Sequence, residues 1–133
     1  MASAKDVFEA IQTAWNAANF HTTYSPLYRD MKAYNRAMVY AILSVEDVTR
    51  TARTCSTEYW QHIVRITLRA TTKELVESAL DAIGTPADAW SLTLASGSQV
   101  QLERTSEGYF QEDERVEVAF LQYRIVRSKG RLN

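Results

Sequence analysis

One segment of the chain, Glu58–Ala70, constrains the fold more strongly than any other. From Trp60 onward its even-numbered positions are apolar apart from His62, and its odd-numbered positions are largely polar. A period of two is that of a β-strand with one buried and one exposed face. The period then changes abruptly, because Thr71–Glu74 has the pattern of a capping box and a helical apolar stripe follows it. A strand that leads directly into an amphipathic helix predicts a mixed fold.

The other predicted elements follow from the same reasoning. Apolar residues at helical spacing predict a helix over Ala4–Ala18, and Gly84 with Pro86 predicts the end of the second helix. We expect an ordered loop over Asn19–Arg36, a polar loop over Glu107–Asp113 and a frayed tail over 128–133. The predicted strands are Ala37–Val45, Val48–Thr54, Glu58–Ala70, Trp90–Ala95 paired with Gln99–Arg104 in a hairpin, and Arg115–Arg127.

The order of these elements is helix, three strands, helix, three strands. Strands that follow one another through short turns form a largely antiparallel sheet, and two helices suffice to cover one of its faces. The 133 residues suit one domain. We therefore expect a single α+β domain over residues 1–133, with both helices on the same face of the sheet.

Composition and targeting patterns exclude several classes of protein. The formal net charge is −1, so no whole-molecule field attracts nucleic acid or an anionic membrane. Cys55 is the only cysteine, which rules out an internal disulfide. The N-terminus lacks the pattern of a signal peptide, and the longest apolar run, Ala37–Leu43, is far shorter than a membrane span. The expected location is the cytoplasm of the cell that makes the protein.

A search for chemistry predicts no catalytic, cofactor-binding or metal-binding residue. The two histidines, His21 and His62, have no spacing typical of zinc ligands, and no glycine-rich phosphate loop is present. His62 lies on the apolar side of its strand, which favours a hydrogen-bonded core histidine. Cys55 with His62 remains an alternative, with a pocket between the sheet and the helices. We expect a protein without enzymatic activity and without a cofactor.

The charges are segregated near the end of the chain. From Glu103 to Glu117 there are six acids and two arginines, and from Arg124 onward there are four cations and no acid. One interpretation is a solvated loop and a solvated tail. The other is a pair of complementary patches on neighbouring copies.

Two adjacent aromatic residues stand in the acidic segment. Tyr109 and Phe110 cannot both point inward from a turn, and exposed aromatics ringed by charge often mark a protein contact. Alternatively, one ring folds over the end of the sheet. The residues we predict to contact a second subunit or a partner are Tyr109, Phe110, Glu112, Asp113, Arg124 and Arg127.

Nucleic acid is a competing partner. Arg50, Arg53, Arg65 and Arg69 fall where they could share one sheet face, with Tyr59 and Tyr123 near enough to stack on bases. Against this, the whole chain has 16 acids and 15 bases, and no known nucleic-acid-binding signature is present. This remains the third hypothesis, after assembly and ligand binding.

The pattern of elements resembles that of the tail terminator, or tail completion, proteins of long-tailed bacteriophages. The similar segments are the N-terminal helix with Asp6–Ile11, the loop Tyr24–Tyr28 before the apolar strand Met38–Leu43, the strand Tyr59–Leu68 that leads into Thr72–Leu75, and the last strand Arg115–Ile125. These are features of a fold, which is a weak warrant for function. A neck or head-completion protein would have a similar pattern.

The resemblance implies a structural virion protein. It implies a ring, commonly of six copies, that caps the tail tube protein and meets the head–tail connector protein. DNA would pass through its lumen without sequence-specific binding. The location would be the tail or neck of the virion, after synthesis in the host bacterial cytoplasm.

Overall fold

The computed structural model describes residues 4–29, 39–53, 57–95, 97, 99–113 and 116–130, with the backbone alone at 47–53, 57–61, 113 and 126–130. Three helices and seven strands lie in these ranges. In chain order they are α1 (Ala4–Ala17), α2 (Phe20–Thr23), β1 (Leu27–Tyr28), β2 (Val39–Arg53), β3 (Thr57–Ala70), α3 (Lys73–Asp88), β4 (Ser91–Thr93), β5 (Gln99–Gln101), β6 (Glu103–Asp113) and β7 (Val116–Gly130).

The architecture confirms the predicted α+β class. Five strands form one sheet in the order β1-β2-β3-β7-β6, and β4 with β5 forms a separate two-stranded hairpin. The four long strands alternate in direction, and only β1 runs parallel to its neighbour. The predicted hairpin is confirmed by the antiparallel pairing of Ser91–Thr93 with Gln99–Gln101.

Helices α1 and α3 pack on one face of this sheet, which we call the helix face. The core between them is apolar, and Trp15, Ile83, Leu68 and Leu121 are all fully buried in it. The register places Val45, Val64 and Tyr123 in one row across three strands on this face. The predicted inward side of β3 is confirmed from His62 to Leu68. Among the described residues, no helix packs on the opposite face, which we call the open face.

The segment that we expected to be an ordered loop contains two short elements. Helix α2 and strand β1 both lie within it, and β1 pairs with Ala41 and Ile42 of β2. The indole nitrogen of Trp15 donates to the carbonyl of Ser25 at 2.8 Å. The Ser25 hydroxyl accepts from the amide of Ala41 at 2.9 Å. These bonds tie the segment to both α1 and the sheet.

Two predicted strands, Ala37–Val45 and Val48–Thr54, are wrong as separate elements. They are continuous in β2, and the acidic pair Glu46–Asp47 does not turn the chain. A change of register between Val48 and Ala52 marks a bulge in the pairing with β3. A bulge inserts an extra residue without ending a strand, so the polar composition was mistaken for a boundary.

The polar loop predicted over Glu107–Asp113 is also wrong, because these residues belong to β6. Gly108 lies opposite Phe120, and Phe110 lies opposite Val118 in β7. Pairing with a long neighbouring strand overrides the low strand preference of the glycine and the acids. The frayed tail needs a similar correction, since residues 128–130 pair with 57–59 and only 131–133 lie outside the described residues.

Helix α3 begins within the predicted capping box but ends later than predicted. Its N-cap is Thr72, whose hydroxyl accepts from the amide of Leu75 at 3.3 Å. It continues through Gly84 and Pro86 to Asp88, where bonds of the i→i+3 type finish it. No helix within the described ranges has the length and apolar character needed to cross a membrane.

Candidate interaction surface on the open face and sheet edge

Strand β6 forms one edge of the five-stranded sheet and is 11 residues long. Among the described residues, the only large hydrophobic side chains classed as exposed are Tyr109, at 38%, and Phe110, at 47%. An edge strand carries backbone amides and carbonyls with no partner strand on its outer side. Exposed aromatic groups and a free backbone edge therefore coincide on one element.

The two aromatic rings point to opposite faces because they are consecutive in a strand. Tyr109 lies on the helix face, where its hydroxyl donates to Glu117 and its ring lies 5.2 Å from the Lys73 ammonium. The hydrogen bond to the Glu117 carboxylate raises the pKa of Tyr109 to about 12. Phe110 lies on the open face, opposite Val118. Alternation in a strand, rather than a turn, is what exposes both rings.

The middle of the open face is organised around Phe120. Its ring lies over Gly108 so closely that a Cβ on Gly108 would stand 2.5 Å from the nearest ring atom. The guanidinium of Arg65 also contacts this ring, at 4.3 Å from its centroid. Arg65 also donates two hydrogen bonds to the side-chain carbonyl of Gln122, at 3.2 and 2.8 Å. Cation–π stacking and these bonds hold Arg65 in place.

Arg69 forms a bridge across the sheet at one end of the open face. It donates to the Tyr40 hydroxyl in β2 at 3.0 Å and pairs with Glu112 in β6. The bridge lies beside the β7 residue Val118, which is opposite Arg69 in the register and only 1% exposed. The long arginine side chain thus connects three strands, and its hydrocarbon part is placed to cover an apolar neighbour.

Arg124 forms an ion pair within the same chain. Its guanidinium contacts both carboxylate oxygens of Glu103, at 2.9 and 3.1 Å. The hydrogen bond from Arg124 lowers the pKa of Glu103. The acidic and basic segments are therefore neighbours in one sheet, at least at this pair, and the hypothesis of patches on separate copies is not needed to explain them. The side chains of Asp113 and Arg127 lie outside the described part of the structure.

A second ionic cluster joins β6 to α3 on the helix face. Arg104 pairs with Asp88 at 2.8 Å and with Glu107 at 3.2 Å. A Cβ on Gly84 would stand 2.6 Å from this guanidinium, so Arg104 packs closely on the helix backbone. Tyr123 is fully buried beside the cluster, and burial followed by the charge of Asp88 raises its pKa to about 12.

Two grooves lie on opposite faces of the sheet where β2 forms the other edge. The open-face groove, about 280 Å³, is lined by Ser44, Glu46, Ile63, Arg65 and Gln122. The helix-face groove, about 220 Å³, is lined by Ala4, Lys5, Phe8, Arg29 and Leu43–Val45. Ser44 contributes to both grooves, so they flank the same stretch of β2.

The residues considered for catalysis or for nucleic-acid binding do not come together at one site in the described structure. His62 is 3% exposed within the sheet, and Cys55 is outside the described residues. Arg65 and Arg69 share the open face as predicted, but Tyr123 lies on the helix face and is buried, so it cannot stack on a base there. The side chains of Arg50, Arg53 and Tyr59 are not described. Within the described ranges, no group of three or more His, Cys, Asp or Glu side chains is placed to hold a metal ion.

The predicted interface residues that are described lie on the edge strand and its neighbour, although the sequence predicted a polar loop there, and none of them lines either groove. Tyr109, Phe110 and Glu112 lie on β6, and Arg124 lies on the next strand. Ser44, Ile63 and Gln122 carried no signal in the sequence, because a groove arises from side chains that three strands bring together. Comparison with known protein families and with curated proteins finds no match.

Proposed function

We propose that this protein is a structural virion protein of a long-tailed bacteriophage, which forms a ring that terminates the tail tube and joins it to the head connector. The observation that carries the proposal is the free β6 edge with its two exposed aromatic rings. A ring requires a heterologous interface, in which one patch meets a different patch of the next copy. The sheet has two different edges, which is what such an interface needs.

The open face gives further support. It is a wide, mixed-charge surface on which Arg65, Arg69 and Arg124 each interact with a side chain of the same chain. Arg69 and Arg124 pair with carboxylates, which reduces the attraction of this face for phosphate, whereas Arg65 keeps its charge because its partners are the neutral Gln122 amide and the Phe120 ring. Such a surface suits a lumen through which DNA passes without sequence-specific binding, or a contact with tail tube and connector proteins. The element pattern that resembles tail terminators is the other support. No cofactor or catalytic group takes part in this proposal.

Light scattering and negative-stain imaging of the purified protein test the first part. We expect a species of about six times the monomer mass, at least at high concentration or in the presence of tail tubes. Rings should be visible in the images. A protein that stays monomeric at every concentration and does not bind isolated tails would contradict the proposal.

Deletion of the gene from its phage tests the second part. We expect filled heads and tails of abnormal length that fail to join, because nothing stops tube growth or offers a surface to the connector. Infectious particles of normal morphology would contradict a terminating role. Filled heads with tails of normal length would instead favour a neck or head-completion role.

A further inference from the structure

We propose that β6 of one copy pairs antiparallel with β2 of the next, with Phe110 placed in the open-face groove of that next copy. The inference rests on the proposed ring and names its interface. It commits to a second copy of this chain as the occupant of the groove.

Strand direction is the first argument. From one edge to the other the long strands are β2, β3, β7 and β6, and each is antiparallel to its neighbour. Strands β2 and β6 therefore run in opposite directions. When two copies stand side by side in the same orientation, the β6 of one meets the β2 of the other as an antiparallel pair. The sheet then continues without a change in its alternation.

The length of the regular stretches is the second argument. In β6, register shifts lie between Arg104 and Ser106 and between Gln111 and Asp113, which leaves Ser106–Gln111 regular. In β2, residues Ala41 and Ile42 pair with β1, and the bulge follows Val48. The stretch Leu43–Val48 between them is regular, and no described strand pairs with its outer side. Each stretch has six residues, so the two match end to end.

The match fixes a register. Pairing Ser106 with Val48 and Gln111 with Leu43 places Phe110 opposite Ser44 and Tyr109 opposite Val45. Phe110 and Ser44 both belong to the open face, whereas Tyr109 and Val45 both belong to the helix face. A register displaced by one residue would reverse this agreement of faces.

The grooves are the third argument. Ser44 lies between them, and the paired register sets one aromatic ring beside each. Phe110 would lie next to the open-face groove, whose lining includes the half-buried Ile63 and the Arg65 guanidinium. These groups provide an apolar contact and a cation–π contact. Tyr109 would lie beside the helix-face groove, near Phe8 and Arg29, while its hydroxyl keeps its bond to Glu117.

The charges on β6 include one contact that opposes this pairing. The register sets Glu107 opposite Asp47 of the next copy, and like charges directly opposite each other are destabilising. The Arg104 guanidinium, which already pairs with Glu107, partly offsets this contact. Natural edge strands are often protected by lysine, proline or inward-pointing charges, and β6 contains no lysine or proline. Each of its three glutamates pairs with an arginine of the same chain: Glu103 with Arg124, Glu107 with Arg104 and Glu112 with Arg69.

Cysteine cross-linking in a Cys55→Ser background tests the register. Ser106→Cys on one preparation and Val48→Cys on another should form a disulfide-linked dimer on mild oxidation of the mixture. Residues directly opposite each other in an antiparallel pair have Cβ atoms about 4.5–5.5 Å apart, which is near the range that a disulfide spans. The matched control replaces Val48→Cys by Asp47→Cys, which is adjacent but alternates to the other face. That mixture should give at least tenfold less cross-linked dimer.

Substitution of Phe110 tests the groove. Phe110→Ala should weaken association by a factor on the order of ten to one hundred, as expected for an anchoring aromatic group. Thr13→Ala, an exposed position on α1, should change it less than twofold. Circular dichroism and thermal melting confirm that both variants are folded.

The outcomes separate this inference from the proposed function. Rings that form without the Ser106–Val48 cross-link, or that tolerate Phe110→Ala, would overturn the interface and leave the ring intact. Equal cross-linking of Ser106→Cys to Val48→Cys and to Asp47→Cys would also overturn it. The absence of any assembly, with or without tails, would overturn both the interface and the ring.

Discussion

Gly108 packs closely against the Phe120 ring on the open face, and the lack of a side chain at Gly108 is what permits this packing. Alanine is ordinarily better than glycine in a strand by about 0.5–1 kcal/mol. At this position the added methyl group would collide with the Phe120 ring. Gly108→Ala should therefore lower the free energy of unfolding by about 1–3 kcal/mol, as overpacking does. Urea denaturation followed by circular dichroism measures this change.

Two companion variants make that prediction specific. Ser106→Ala, on the same strand and face, should change stability by no more than about 0.5 kcal/mol. In a Phe120→Ala background, Gly108→Ala should lose most of its cost, because the two residues are in contact and their effects are not additive. Additive effects would show that the packing of the Phe120 side chain does not depend on Gly108.

Tyr123 should make stability sensitive to alkaline pH. Burial raises its pKa in the folded protein to about 12, whereas the unfolded value is near 10. The neutral form is thus favoured by folding. Its contribution is fully present below pH 10 and is lost as pH rises from about 10 through 12. The urea midpoint should fall across that window.

Tyr123→Phe provides the control for this titration. The Tyr123 hydroxyl makes no well-formed hydrogen bond within the described part of the chain, although the charges of Asp88 and Arg104 act on it. The phenylalanine variant should keep most of the stability at pH 7 and show a smaller fall between pH 10 and 11. Tyr109 also titrates near 12, so some decrease remains. An unchanged slope in the variant would contradict the assignment to Tyr123.

At the scale of elements, the Arg69 bridge connects β6 with β2, two strands that are not neighbours in the sheet. The Arg69 side chain is only 10% exposed, and Val118, which is opposite Arg69 in the register, is 1% exposed. Arg69→Ala should cost about 1–3 kcal/mol, because it removes charged hydrogen bonds and uncovers an apolar group. Arg69→Met should cost less, since it keeps the cover and loses only the polar contacts. Thermal unfolding of both variants distinguishes the two contributions.

The exposed pair Glu103–Arg124 is the matched comparison for Arg69. Its side chains are 63% and 43% exposed, so solvent screens the attraction. Glu103→Ala should therefore change stability less than Arg69→Ala does. A larger cost than that of Arg69→Ala would mean that exposure does not govern these ion pairs.

Elements with a strong period were predictable from sequence, and elements defined by pairing were not. Strand β3 and the starts of α1 and α3 follow from alternation, helical spacing and capping. Strand β6 was missed because Glu107–Asp113 has polar and glycine content typical of a loop. Only its register with β7 makes it a strand. Likewise, the bulge that keeps β2 continuous has no local signature.

The same distinction holds for the residues of the candidate surface. Tyr109 and Phe110 could be predicted as exposed, because two adjacent aromatics in a polar segment cannot both be buried. The grooves beside Ser44 could not, because their linings combine residues far apart in sequence. The pairing of Arg124 with Glu103 was also hidden, since segregated charge along a chain does not reveal that the two segments are neighbouring strands.

At the scale of the whole molecule, assembly should appear in the thermodynamics of unfolding. Association binds the folded state and not the unfolded one, so it raises the apparent stability by mass action. A hundredfold increase in protein concentration above the dissociation constant should add about 2–3 kcal/mol. The melting temperature should therefore rise with concentration. Phe110→Ala should show this rise only at protein concentrations about tenfold to hundredfold higher, and a wild-type value independent of concentration would contradict assembly.

The alternation of the four long strands has a consequence for how many copies a ring holds. Because an even number of antiparallel strands separates the two edges, each added copy presents the same polarity as the last. Joining copies this way never creates a parallel seam, whether five, six or seven of them close. Strand pairing therefore does not determine the number of copies in the ring. The number of copies in the ring would depend only on the angle between neighbouring copies. The bulges at the ends of β6 would help to set that angle.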